Sequence, residues 1–427
     1  MGRCLLVAII DRIGQEARSQ CKEEKKMKRL SGGIDIGKDF HHMMILDEKE
    51  QVIYQKRIPQ KLKEMKEIMK ELTCLEKKEK AKLSFVLEGK NGYSNPLDRL
   101  LLLAGFTLYN VDNYKLKRFR EAFAGEWRDD NRDALMLSKM LHLKEHINTP
   151  TEKVFVQITK PSVITESLKL LSRHQEILIE EKTRLTNRLG KKLLEVCPEL
   201  LALGKLKDHK LIAILSRYPD CSRYSRITLD SLLKIPGIGK KQAPHLLAGL
   251  HDLAYMPELT AIYKTIISSH AKRILQLQKE IKEIDKKMDQ IGEHNQTIQH
   301  LKSMPAVGTK LASRFTGEIG NISRFPSEKK LAIYCGIACV NNASGKTNKT
   351  KAVYKANKMA KQALIMMAGG SIRVNPQCRN YYLKKRTEGK KHNHALRCLA
   401  RQMIKVIYRM LTEDRDYQIK KEALKVA

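Results

Sequence analysis

Two long stretches of this 427-residue chain repeat apolar residues at helical spacing amid charge, and no other feature limits its architecture as much. Between 160 and 200 the positions Ile164, Leu168, Leu171, Ile177, Leu178, Leu185 and Leu189 share one helical face. Between 258 and 300 the matching stripe is Ile262, Ile266, Ile274, Leu277, Ile281, Ile284, Met288 and Ile291. A helix with one apolar stripe and an otherwise charged surface must bury the stripe against a partner, and the two stretches suit each other as an antiparallel coiled coil. The chain then divides into a section at 31–150, a coiled-coil region at 160–300 with an inserted segment at about 205–255, and a C-terminal section at 301–412. Residues 1–30 read as a basic extension without regular structure, and 413–427 as a charged tail that frays.

The section 31–150 reads as α/β over a mixed sheet. Gly33-Ile34-Asp35-Ile36-Gly37, His42–Leu46 and Gln51–Lys56 have strand character, with Asp47-Glu48-Lys49-Glu50 as the turn between the last two. Helical spacing follows over 60–75. Next come a buried strand at Leu83–Leu87, a helix from Pro96 to Ala104 and a strand at Phe106–Val111, then helices at about 115–124 and 130–146.

Four acids in this section have the chemistry of a metal site. Asp35 lies in the middle of the first strand, and Glu88 ends the strand that begins at Leu83. Asp130 and Asp133, three apart at a helix start, project from one face. On their own, acids in a first helical turn are ordinary capping. A carboxylate flanked by Ile34 and Ile36, however, is costly to bury unpaired. If the first and fourth strands are neighbours, all four carboxylates can meet, and such a cluster implies a cation. Oxygen donors of this kind suit Mg2+ and two-cation phosphoryl transfer. Asp39 and His41 read as supporting or surface groups. The same glycine-flanked opening suits the first phosphate loop of an actin-like ATPase or sugar kinase. Those need a second Asp-Gly-Gly-type loop, and the one candidate, Gly369-Gly370, lacks the acid.

Net charge points to a polyanionic partner. The chain has 82 Lys and Arg against 47 Asp and Glu, a formal net of +35, spread along its length. Ile235-Pro236-Gly237-Ile238-Gly239, followed by Lys240 and Ala243, matches a helix–hairpin–helix, whose glycine turn offers backbone N–H groups to a DNA phosphate. A plain packing turn has the same pattern. A second copy, Met304-Pro305-Ala306-Val307-Gly308, keeps the Pro-x-x-Gly spacing with Ala306 in place of a glycine. Ser344-Gly345 sits in a polar loop, Asn341–Thr347, in a basic field that includes Lys346, Lys349 and Lys355. Positive charge there would hold a phosphate and stabilise an alkoxide. Taken alone, that serine is simply a loop residue.

The apolar run Cys4–Ile10 is too short to span a bilayer and no cleavage site follows it, so neither a membrane anchor nor a secretion signal is expected. Nine scattered cysteines fit a reducing compartment; Cys335 and Cys339 lack the second pair that a zinc site needs. The expectation is a cytoplasmic protein that joins the nucleoid when bound to DNA.

These motifs, in this order, resemble the DEDD transposases of the one-hundred-and-ten family of bacterial insertion sequences. The resemblance rests on Gly33-Ile34-Asp35-Ile36-Gly37-Lys38-Asp39, Leu87-Glu88-Gly89, Gly92-Tyr93 and Asp130-x-x-Asp133-Ala134 in the N-terminal section. In the C-terminal section it rests on Met304–Gly308, Gly317-Glu318-Ile319-Gly320, Arg324-Phe325, Tyr334-Cys335-Gly336, Ser344-Gly345 and Lys355-Ala356-Asn357. It implies a RuvC-like, RNase H-type domain, a coiled coil and a helical transposase domain with helix–hairpin–helix-like segments. It further implies that Asp35, Glu88, Asp130 and Asp133 bind magnesium and that Ser344 attacks a DNA phosphate, giving a phosphoserine intermediate before strand exchange. A bridge RNA that pairs with target and donor DNA, and a dimer or tetramer whose sites combine residues of different subunits, are also implied. Two positions depart from the family pattern: Ala356 stands where Gly is usual, and Gly336-Ile337-Ala338-Cys339 lacks the usual proline.

Two other readings compete. One is a RuvC-like structure-specific nuclease that uses water and leaves Ser344 idle. The other is a non-catalytic architectural protein that binds nucleic acid through its hairpins and basic helices.

Overall fold

The structure, a computed structural model, describes residues 28–88, 92–123, 130–146, 154–160, 162–258, 260–344, 347–353 and 356–418. The chain forms two compact units, 1–160 and 161–427.

The first unit is built on a six-stranded sheet. Its strands are β1 (Lys28–Ile36), β2 (Phe40–Leu46), β3 (Val52–Pro59), β4 (Ala81–Glu88), β5 (Thr107–Val111) and β6 (Phe155–Ile158). Four helices flank it: α1 (Leu62–Glu79), α2 (Asn95–Leu103), α3 (Asn113–Phe123) and α4 (Asp130–His146). The strand order is β3-β2-β1-β4-β5-β6. β1, β2 and β3 form an antiparallel meander, β4 runs parallel to β1 and to β5, and β6 returns antiparallel along β5. Order and direction from β1 to β5 are those of the mixed sheet that the RNase H-type resemblance implies.

Alternation along β1 decides which helix covers which face. Leu30 and Ile34 join a core with Met65, Ile68 and Leu72 of α1 and Leu97 and Leu101 of α2. Ser31, Gly33 and Asp35 face the other way, toward α4. Two adjacent glycines serve the two faces. A Cβ on Gly32 would stand 2.4 Å from Phe85 Cδ1, and one on Gly33 would stand 2.1 Å from the Ala134 carbonyl oxygen of α4. The α4 backbone therefore rides directly on β1, where Ser138 Oγ donates to the Met44 carbonyl at 2.8 Å. Val86, Val111, Leu116, Leu137 and Leu141 complete the apolar packing on this side. Full burial of each such side chain contributes about 1.5–3 kcal/mol.

Several boundaries differ from the sequence reading. β1 begins at Lys28, so Lys28–Leu30, assigned to the basic extension, belong to the sheet, and Leu30 is buried. Residues 1–27 lie outside the described residues. Asp35 is the penultimate residue of β1, not its centre. Strand β6 was not anticipated: at four residues it is too short to show a period, and it exists because β5 offers an open edge. The turn at Asp47–Glu50 is as expected, with Asp47 Oδ1 accepting from the Lys49 and Gln51 amides at 2.9 and 2.8 Å.

In the second unit α5 (Val163–Val196) and α9 (Thr260–Glu293) are the paired helices. Glu181 meets Arg273 at 3.1 Å and Tyr263 Oη donates to Glu195 at 2.8 Å; partner numbers that fall as the others rise make the pair antiparallel. Leu178, Leu277, Ile284 and Met288 fill the seam. Between these helices lie α6 (His209–Arg217), α7 (Leu229–Leu233) and α8 (Ala243–His251), with their own core around Leu211, Ile214, Leu215 and Tyr224. The C-terminal part comprises α10 (Gln296–Lys302), α11 (Thr309–Ile319), α12 (Glu328–Tyr334), α13 (Lys358–Val374), α14 (Pro376–Thr387) and α15 (His392–Thr412). Strands β7 (Cys339–Ser344) and β8 (Thr347–Ala352) pair antiparallel as a β-ribbon, so Asn341–Ser344 and Thr347 of the expected polar loop are strand. Its Asn, Thr and Lys residues carry no apolar alternation, which is why its strands were not legible. No helix among the described residues is long and apolar enough to cross a membrane.

Candidate active site

The sheet brings the N-terminal acids together. Ile34 of β1 pairs with Leu87 of β4, so the next residues along these parallel strands, Asp35 and Glu88, stand side by side on one face. The close approach at Gly33 lays the first turn of α4, with Asp130 and Asp133, over the same strand ends. Burial, and after it the charges of Asp133, Asp130 and Glu88, push the Asp35 carboxyl up to about 6, with Arg120 pulling the other way.

Arg120, from α3, is the site residue that sequence reasoning missed. Its Nη2 donates to Glu88 Oε2 at 2.9 Å, and its Nε lies 3.0 Å from Asp133 Oδ1. One guanidinium thus bridges two of the four acids and offsets part of their repulsion. The only cue was a basic residue on the helix between the strand ending at Val111 and the acidic helix. His42 was also missed. It is the residue opposite Asp35 in β2, its Nδ1 donates to Asn131 Oδ1 at 2.9 Å, and its Nε2 lies 3.7 Å from Asp130 Oδ2. His41, singled out from sequence beside Asp39, alternates to the opposite face and is fully buried; Asp39 is exposed in the turn before β2.

The donor set fits a hard divalent cation. All four groups are carboxylates, and the raised Asp35 value reflects first its burial and then the charges of Asp133, Asp130 and Glu88, which Arg120 only partly offsets. Among the described residues no three of these acids converge within coordinating distance, and Arg120 bridges Glu88 and Asp133.

Ser344 is the last residue of β7 and pairs with Thr347 at the ribbon's tip. Lys349 is in β8, whereas Lys346 and Lys355 lie outside the described residues. The roots of the ribbon are fastened together by a buried network that gathers motif residues scattered in sequence. Asn357, just after the ribbon, donates from its amide N–H to the carbonyl of Tyr334, just before it, at 2.8 Å. Its Nδ2 reaches Glu318 Oε2 at 2.7 Å and Tyr334 Oη at 2.9 Å. Arg173 of α5 clamps the fully buried Glu318 carboxylate at 2.7 and 2.9 Å. Burial pushes the Glu318 carboxyl up, but Arg173 and Asn357 outweigh it and hold the group below its ordinary range. Gly317 lets α11 cross α5 here: a Cβ would stand 2.7 Å from the Lys169 amide nitrogen.

The two hairpins share a backbone. Ile238 N–H donates to the Ile235 carbonyl and Val307 N–H to the Met304 carbonyl, each at 3.2 Å. Gly237 has φ 88° and Ala306, its counterpart, φ 63°. The repeat is therefore closer in conformation than in sequence. Gly237, Gly239, Lys240 and Gly308 are all exposed. α8 starts three residues beyond Lys240, whereas α11 starts immediately after Gly308, which caps it.

Comparison with known proteins matches both parts of this chain to one family. A model described as a transposase, of the DEDD IS110 type, matches residues 32–198, and one described as the transposase of the IS116/IS110/IS902 family matches 298–383. The chain belongs to the IS110/IS116/IS900 family of transposases. A Streptomyces clavuligerus protein described as an uncharacterized 44.8 kDa protein of insertion element IS116 is 24% identical over 91% of this chain and 96% of its own length. A Mycobacterium paratuberculosis protein of insertion element IS900 is 22% identical over 90% and 96%. A Streptomyces coelicolor mini-circle putative transposase for IS117 is 21% identical over 89% and 93%. Among solved structures, RuvC of T. thermophilus in complex with a Holliday junction substrate aligns with 28% of this chain and 94% of its own at 12% identity, with a TM-score of 0.21. As a member of this family the chain is a DNA phosphoryl-transfer enzyme of an insertion sequence.

Proposed function

We propose that this transposase cuts and rejoins DNA through Ser344, with Asp35, Glu88, Asp130 and Asp133 holding magnesium beside the reacting phosphate. The observation that carries this reading is the gathering of the four acids around Asp35, on the ends of β1 and β4 and the first turn of α4. The chemistry that magnesium supplies when bound is neutralisation of charge on the phosphate and on the departing oxygen. Within the chain, Arg120 keeps Glu88 and Asp133 apart and charge-balanced, and His42 with Asn131 holds the Asp130 side of the cluster.

In the proposed step Ser344 Oγ bonds to a DNA phosphorus as the bond from that phosphorus to one sugar oxygen breaks. The serine loses its proton and the sugar oxygen gains one, so nothing is oxidised or reduced. Glu318, Asn357 and Arg173 act on Ser344 only by fixing the roots of its ribbon. The hairpins at 235–239 and 304–308 grip DNA phosphates through exposed backbone, and the resemblance adds a bridge RNA as guide and subunits that share composite sites.

The test combines protein, magnesium and element-end DNA with RNA transcribed from beside the gene. A covalent protein–DNA adduct that survives denaturation and vanishes in Ser344→Ala is expected. Cleavage that persists in Ser344→Ala would replace this reading with a water-using nuclease. Binding without cleavage by the unaltered protein would replace it with an architectural role.

A further inference from the structure

The end of the sheet remote from the carboxylates carries a second charged recess. On β1, Arg29 points to the same face as Ser31, Gly33 and Asp35, but six residues earlier, about 20 Å away at 3.3 Å per residue. Lys82 and Ser84 of β4 and Tyr109 of β5 lie beside it, and the last turn of α4 supplies Lys144 and Glu145. The recess has a volume of about 220 Å³. Small-molecule sites are commonly about 300–1,000 Å³, so it suits a phosphate with its adjoining atoms better than a whole nucleotide.

Its charges are unequally matched. Glu145 is held at the floor, with Ser31 Oγ donating to its Oε2 at 3.1 Å and the Ser84 hydroxyl donating as well. Burial pushes its carboxyl up despite those bonds and despite Arg29 and Lys144 nearby. Lys144 Nζ is steadied 4.0 Å from the centroid of the Tyr109 ring. Arg29 and Lys144 both act electrostatically on Glu145, and Lys82 on the neighbouring strand adds a third cation to the recess. Three cations thus surround one hydrogen-bonded carboxylate inside a concave wall, which concentrates positive potential where an anion can enter.

We propose that this recess is a phosphate-binding subsite for a nucleic-acid backbone, held by Arg29, Lys82 and Lys144. It stands apart from the DEDD cluster and does not depend on how Ser344 reacts. A strand seated there adds one anchored phosphate to the enzyme's grip without touching the reacting one.

The test uses the full-length protein and the double variant Arg29→Gln/Lys82→Gln. Both side chains are exposed, and Lys144 keeps its packing on Tyr109. Affinity for a 30-base-pair duplex and for a 30-nucleotide RNA is read by fluorescence anisotropy across a salt series. Lys63→Gln/Lys66→Gln, which removes the same charge from the exposed face of α1, serves as the control. Loss of one phosphate contact should make the log–log salt slope shallower by about 0.9 for duplex or about 0.7 for single strand. Affinity should fall about five- to tenfold beyond the control, for whichever nucleic acid occupies the recess. A slope and affinity indistinguishable from the control for both probes would overturn the proposal. Calorimetric binding of inorganic phosphate that the double variant loses, with nucleic-acid slopes unchanged, would overturn it too, by assigning the recess to the free anion.

Discussion

Asp35 carries a cost in the metal-free protein that Asp35→Asn should remove. The rise of its carboxyl from 3.8 to about 6 comes first from burial and then from three neighbouring acids. At 1.36 kcal/mol per pH unit the rise corresponds to about 3 kcal/mol, which solvent reaching a half-buried carboxylate reduces to about 1–2 kcal/mol. As pH rises, the unfolded chain gives up this proton before the folded protein does. The penalty is therefore absent below about 3.8, grows between 3.8 and about 6, and is complete at neutral pH. In EDTA at pH 7.5, Asp35→Asn should raise the thermal transition of the N-terminal unit by about 4–8 °C, and the gain should vanish near pH 4. Millimolar magnesium should stabilise the unaltered protein and not the variant, while strand cleavage by the variant disappears. Calorimetry on the full chain reads all three. A variant no more stable than the parent in EDTA, together with a parent indifferent to magnesium, would refute the reasoning that the acids form one repelling cluster awaiting a cation.

Three further outcomes follow from other parts of the fold. Glu318→Ala unbinds Arg173 and Asn357 and should destabilise the second unit by about 2–3 kcal/mol, the half-exposed Arg173 recovering some hydration; adduct formation at Ser344 should fall more than DNA binding does, and equal losses in the two assays would discount the positioning role. His300 is buried between Asp416 at 2.8 Å and Asp414 at 3.0 Å, so the start of the expected fraying tail is docked instead, with the Tyr417 amide on Ser303 Oγ at 2.7 Å. Burial lowers the His300 value, but the two aspartates outweigh it and raise the value above 6.5, so the clamp is complete below 6.5 and lost as pH climbs through the raised value; protection of the 414–417 amides, relative to their intrinsic exchange rates, should fall as pH rises above 6.5, and pH-independent protection would contradict this. Ala306→Gly relieves a left-handed alanine and should stabilise the second unit by about 1 kcal/mol, read as a shift in its thermal midpoint; a loss of stability would show that the Ala306 methyl group matters more than its backbone.

What the sequence determined by itself is whatever a periodic or local signal carries. The 3.6-residue stripes at 160–200 and 258–300 require a partner for each helix, and the structure pairs α5 with α9. Ile34 and Ile36 around Asp35, and the apolar run up to Glu88, mark carboxylates that a sheet must either pay to bury or put to use. The Asp47–Glu50 turn and the Pro-x-x-Gly hairpins are set by a few adjacent residues. Only the tertiary structure decided the rest, because it depends on residues far apart in the chain. Arg120 enters the acid cluster from a helix whose sequence does not say which way it faces, and His42 instead of His41 joins it because the β1–β2 register, not adjacency, selects the face. Glu318, Tyr334, Asn357 and Arg173 form one network across sequence separations of up to 184 residues. The ribbon bearing Ser344 has no apolar alternation of its own, and that network fastens its two roots in unit 161–427. Local composition encodes the elements. Long-range packing, through close approaches such as the one at Gly33, chooses which charges meet.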